Sequence, residues 1–207
     1  MKSKKIWLFN DRPLYADDNA KHLFIYSIEQ EDAIKRNSKE YKIKKYYVMD
    51  ENSKDFEDMK SKSKNILKLG SFKHKFLYMF CEKIITSHLM ESYFNPFENE
   101  NIRFYSGIIN SDRYFLQHGV TIGDISKYIN KSNRYINLFS TLSDLERNFI
   151  IGSYCNYDES IVQTLGFPRY DTLENKNVKN QLFIINMLMN TIMIKVILIL
   201  KQWVLEI

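Results

Sequence analysis

Four histidines and a small set of charged residues carry most of the chemistry open to this 207-residue chain. In Phe115-Leu116-Gln117-His118-Gly119-Val120 an apolar stretch ends in an amide, an imidazole and a glycine. An imidazole has an ordinary pKa of about 6.5, is largely neutral at cytoplasmic pH and can take a proton from a hydroxyl group. Gly119 lets the backbone turn sharply or lets a ligand approach it closely. By itself the pair reads rather as a loop histidine beside a turn glycine, since so short a motif is weak. His88, after Ser87, also ends an apolar run, whereas His22 falls in a helical pattern and reads as structural. His74 lies between Lys73 and Lys75, a cationic group that can face phosphate or form a solvated helix face. Arg169, in Gly166-Phe167-Pro168-Arg169-Tyr170-Asp171, offers a guanidinium fork matched to phosphate oxygens on a loop stiffened by Pro168, or else it pairs with Asp171. Asp11 and Arg12 follow the first apolar run and can position a hydroxyl or phosphate, or close a loop salt bridge.

The elements that must present these residues are short apolar runs separated by helical patterns. Strands are expected at residues 6–9, 45–49, 66–69, 83–86, 114–117, 136–139 and 160–165, with helices at 19–36, 55–62 and 72–81. The segment 102–109 is ambiguous. Asp17 or Asp18 can cap the first helix, and Thr121 and Ser126 can order the loop after His118. The alternation predicts an α/β fold of βαβ units around a mostly parallel, Rossmann-like sheet, with His118 at its carboxyl edge, where open α/β sheets bind ligands.

Composition narrows the class. A content of 44% hydrophobic and 14% aromatic residues argues against disorder. The net charge of +5 is compatible with anionic lipid or phosphate polymers, but the basic residues are dispersed, so nucleic-acid binding is not expected. Cys81 and Cys155 stand far apart with no CxxC or Cys/His ligand spacing, so both are expected as reduced, buried thiols, with no structural metal and no cofactor. Neither G-x-G-x-x-G nor a P-loop occurs. The start, residues 1–9, is basic and then apolar for too few residues to be a signal peptide, so a cytoplasmic location is expected.

Six segments in order resemble the CDP-glycerol glycerophosphotransferase family, which builds teichoic-acid-type poly(glycerol phosphate). They are DRPLYADDNAKHLF from Asp11, GSFKHKFL from Gly70, IITSH from Ile84, FLQHGVTIGDIS from Phe115, LFSTLSDLE from Leu138 and GFPRYDTL from Gly166. The resemblance implies the first half of a GT-B glycosyltransferase-like arrangement of two Rossmann-like domains. It implies transfer of glycerol phosphate, or a related polyol phosphate, from CDP-glycerol to a growing polymer or lipid-linked acceptor, at the inner face of the cell membrane. By this mapping His118 is the general base, and the residue readings above add Arg169, Gln117, Gly119, Asp11, Arg12, His88 and His74 as substrate-binding candidates. Much of the donor site would lie in the second half.

Residues 1–175 are accordingly expected as an acceptor-side domain, followed by an apolar tail at 176–207. Within the tail, residues 182–200 carry one charge, Lys195, and read as a truncated or frame-disrupted entry to a second domain, a core helix or a membrane segment. The expected chain is therefore inactive alone. The alternative is a non-catalytic remnant or an acceptor-binding module associated with the membrane.

Overall fold

The computed structural model describes residues 5–34, 43–97, 109–120, 125–132, 134–152 and 155–172. Seven strands, β1 (Ile6–Asn10), β2 (Lys44–Met49), β3 (Ile66–Lys68), β4 (Lys83–Thr86), β5 (Asp112–Phe115), β6 (Leu138–Thr141) and β7 (Val162–Thr164), form one sheet in the order β3-β2-β1-β4-β5-β6-β7. Every neighbouring pair is parallel. Helices α1 (Asn19–Ile34), α2 (Phe56–Lys62), α3 (Phe72–Met79), α4 (Ser126–Ile129) and α5 (Asp144–Gly152) connect them, with 3₁₀ turns at Glu91–Tyr93 and Pro168–Thr172.

Parallel strands covered on both faces are expected to be buried along their length rather than on alternate residues only, and β1 from Trp7 to Asn10 and β4 from Lys83 to Thr86 follow that rule, polar residues included. Their side chains nevertheless alternate between two cores. Trp7, Phe9, Tyr47, Met49 and Ile85 join Ala20, Leu23 and Phe24 of α1, whereas Leu8, Tyr46, Val48 and Ile84 join Leu77 and Tyr78 of α3. A third cluster, with Phe115, Phe139, Ile150 and Val162, closes the β5–β7 end. Lys83 is buried at the start of β4, where its Nζ donates to Tyr114 Oη at 2.7 Å and pairs with Asp112 at 3.2 Å.

The strand after the apolar run ends earlier than the apolarity suggests. Leu116 is buried and its N–H bonds Thr86 O at 2.9 Å, but β5 stops at Phe115, and Gln117 adopts φ +58°. Leu116 gives the last backbone hydrogen bond to β4 but lies past the paired residues of β5. Likewise β6 extends over Ser140 and Thr141, two buried polar residues that hide a strand from a hydrophobicity reading. The ambiguous segment, for residues 102–108, and the apolar run 182–200 lie outside the described residues. Among the described residues no helix is long and apolar enough to cross a membrane. Both cysteines are free and buried.

The strand order reverses direction between β1 and β4: β2 and β3 are laid down on one side, and β4 to β7 on the other. The crevice outside the carboxyl ends of these two strands is where open α/β sheets place ligands.

Candidate active site

Asp11 and Ser87, the residues just past β1 and β4, meet across that crevice. Ser87 Oγ donates to Asp11 Oδ1 at 2.5 Å, and Tyr47 Oη donates to Oδ2 at 2.8 Å. The backbone N–H groups of Asp18, Ala20 and Lys21 also donate to the Asp11 carboxylate at 3.1–3.2 Å. The carboxylate thus occupies the N-terminus of α1, satisfying amides that a helix leaves unpaired and that in other α/β folds cradle a phosphate. Complete burial, with the Asp18 charge adding to it, raises the Asp11 proton affinity against the lowering effect of its Ser87 and Tyr47 hydrogen bonds. Asp11 is therefore an internal anchor with no surface for a substrate, contrary to the expectation that it positions a hydroxyl or phosphate. Arg12 takes the loop salt bridge instead, with Nη2 2.7 Å from Asp17 Oδ2.

The side chains that do converge come from three loops. His118, exposed after β5, stacks on His88 after β4, with centroids 4.3 Å apart and planes inclined by 18°. His118 Nδ1 lies 3.2 Å from Ser87 O. A carbonyl only accepts, so the contact places the His118 proton on Nδ1 and leaves Nε2 as the basic atom. Partial burial, then the neighbouring His88, lower the His118 pKa from its ordinary value, which keeps the imidazole neutral near pH 7. His88 Nε2 approaches Asp18 Oδ2 at 3.3 Å without hydrogen-bond alignment. On the other oxygen of the same carboxylate, Arg169 Nη1 donates at 3.0 Å. Arg169 does not pair with Asp171, whose two carboxylate oxygens are buried without a hydrogen-bond partner and whose pKa burial raises to about 6.

His74 is elsewhere. The imidazole expected to face phosphate or solvent is fully buried at the start of α3, accepts the Gly70 N–H on Nδ1 at 3.2 Å and packs edge-on against Tyr78. Burial lowers its pKa to about 4. Gln117 is also turned inward: its Nε2 donates to Ser140 O at 3.0 Å and to Glu146 Oε1 at 3.2 Å, so it supports the loop from beneath. The sharp backbone turn sits at Gln117, not at Gly119, which has no left-handed φ and has open space where a Cβ would stand.

Asp18 and Asn19, read from the sequence only in terms of helix capping, and Ser87 complete the arrangement. The Asn19 amide donates to Gln117 O at 2.7 Å and accepts the Arg169 N–H at 3.1 Å. No local spacing signals these contacts, which bridge 98 and 150 residues. The cluster joins one basic imidazole nitrogen, a second imidazole and a guanidinium at a sheet's switch point, a set suited to accepting a hydroxyl proton beside an anion.

The model of the family described as CDP-Glycerol:Poly(glycerophosphate) glycerophosphotransferase matches residues 1–199. Over 181 residues the chain is 37% identical to the minor teichoic acid biosynthesis protein GgaB of Bacillus subtilis (strain 168), a match covering 87% of this chain and 19% of that protein. The chain thus spans about a fifth of the length of that relative.

Proposed function

This chain belongs to the CDP-glycerol:poly(glycerophosphate) glycerophosphotransferase family, and on that premise we propose that it forms the acceptor-side, Rossmann-like half of a GT-B transferase in teichoic acid biosynthesis. A terminal hydroxyl of a polyol phosphate chain attacks the glycerol-bearing phosphorus of CDP-glycerol. The new P–O bond forms as the diphosphate bridge breaks, CMP leaves with the bridging electron pair, and the hydroxyl proton passes to His118 Nε2. Arg169 faces the phosphates, and His88 holds His118 in plane. The observation that carries this reading is the contact of His118 Nδ1 with Ser87 O, which turns Nε2 to the free side, beside the Arg169–Asp18 pair. A Cβ at Gly119 would meet nothing within 4 Å, which suits the approach of an acceptor to His118.

The test is polymer extension from CDP-glycerol by a complete family transferase carrying this chain in place of its matching segment. His118→Ala should slow transfer by about 100- to 10,000-fold, the range for losing a general base. An unchanged rate in the folded variant removes His118 from the reaction. Binding of glycerol phosphate oligomers without any transfer by the unsubstituted protein would favour an acceptor-binding module.

A second element of the proposal is peripheral attachment to an anionic membrane. Phe72, Phe76 and Phe80 form an outward stripe on and just past α3, 85%, 51% and 62% exposed, flanked by exposed Lys73 and Lys75. An aromatic stripe between lysines suits the boundary of anionic headgroups and acyl chains. Sedimentation with phosphatidylglycerol vesicles should fall on Phe72→Ser/Phe76→Ser, and equal sedimentation would rule this face out.

A further inference from the structure

We infer that the consecutive residues Asp18 and Asn19 act as a positioning clamp, setting the relative placement of His118, His88 and Arg169 during transfer. The inference rests on the transferase reading above and gives Asp18 and Asn19 a positioning role in it.

The geometry is that of a hub. Asn19 is fully buried, and both ends of its amide are used. Nδ2 donates to Leu116 O at 3.3 Å and Gln117 O at 2.7 Å, on the loop after β5. Oδ1 accepts the Arg169 N–H, in the turn after β7. Aspartate cannot donate to those carbonyls, and leucine can serve neither end. Gln117 is held in a left-handed conformation unusual for a residue with a side chain, and its carbonyl, bonded by Asn19, belongs to the peptide that leads into His118. Asn19 therefore fixes where His118 leaves the sheet edge.

Asp18 serves the other two groups. One oxygen takes Arg169 Nη1 and the other faces His88 Nε2. Nη1 is the one guanidinium nitrogen of Arg169 with a hydrogen bond among the described residues, which leaves four of its five N–H donors or fewer for an anion. The clamp itself is held by Asp11, which bonds the Asp18 N–H, and by Ser87, which accepts the Ala20 N–H and presents its carbonyl to His118. One buried network thus links the ends of β1, β4, β5 and β7.

The experiment follows the ring signals of His118, His88 and His74 by NMR titration of the chain with Asp18→Asn and Asn19→Ala, alongside transfer kinetics in the complete transferase. The titratable and charged groups facing His118 are His88, Asp18 and Arg169. Removing the Asp18 charge should lower the His118 titration midpoint and leave His74 unmoved, and kcat should fall by up to about 100-fold, the cost of a misplacement of about 1 Å. Asn19→Ala should shift the His118 ring signals away from the stacked position. If Asn19→Ala does not fold, Asp18→Asn carries the test, since it keeps side-chain size and an oxygen for the Asn19 N–H. Unchanged His118 and His88 signals and kcat in folded Asp18→Asn overturn the clamp. If the signals move but His118→Ala transfers normally, the transferase role of His118 fails while the clamp stands.

Discussion

His118 and His74 each follow a strand of the same parallel sheet, and each lies near a glycine, yet their surroundings give them opposite chemistry. At His74 the imidazole is part of the protein interior: Nδ1 takes the Gly70 amide, Tyr78 covers an edge, and burial depresses protonation to about pH 4. At His118 one nitrogen is anchored on Ser87 O, the ring is stacked on His88, and the residue remains exposed. The difference lies in which strands they follow. His74 comes after β3, at the sheet's edge, whereas His118 comes after β5, next to the β1–β4 switch point. A histidine past a strand becomes available for chemistry when neighbouring loops supply polar partners and leave a face open.

Substituting each histidine should break this contrast in a different observable. The largest effect expected is on rate: His118→Ala reduces transfer by about 100- to 10,000-fold with a stability change within about 1 kcal/mol, as fits an exposed residue. His74→Ala should do the reverse, costing on the order of 2–3 kcal/mol of unfolding free energy through the cavity and the unpaired Gly70 N–H, measured by urea denaturation. If His74→Ala folds with unchanged stability, the distinction between a structural and a reactive histidine collapses.

The pH dependence of stability sharpens the same contrast. His74 binds a proton near pH 4 folded and about 6.5 unfolded, so the unfolded state is favoured by protonation as pH falls through that window. Stability should drop by roughly 3 kcal/mol from this group between pH 6.5 and 4. Asp171 works in the opposite sense: its raised pKa of about 6 makes the folded state the better proton binder, so its contribution declines as pH rises from about 4 to 6. Comparing wild type with His74→Gln isolates the first contribution, and identical pH slopes would contradict it. The smallest stability effect belongs to Gly119→Ala, within about 0.5 kcal/mol because the added methyl meets open space. That methyl should still slow transfer if the acceptor passes there, and steady-state rates decide.

Each of the seven strands overlaps an apolar run readable in the sequence, because a doubly covered parallel sheet demands such runs. Their ends are less legible: Leu116 is apolar but lies past the end of β5, and Ser140 is polar but inside β6. Of the residues with readable chemistry, His118, His88 and Arg169 gather in one place, while which of the candidates meet is decided by tertiary structure and not by any one segment. His74 was misleading because flanking lysines suggest exposure, while helix geometry turns the residue between them inward. Asp11 carries a charge whose burial no local pattern announces. Asp18 and Asn19 signalled only a helix start, since their other partners are set by tertiary structure.

The central claim is that the β1–β4 crevice, and not the rest of the sheet edge, receives a polyol phosphate. NMR titration of the chain with a glycerol phosphate oligomer tests it directly. The ring signals of His118 and His88 should shift and saturate together, with His74 unmoved, and Arg169→Ala should weaken that binding. Saturable binding that moves neither His118 nor His88, or that persists unchanged in Arg169→Ala, would contradict the account.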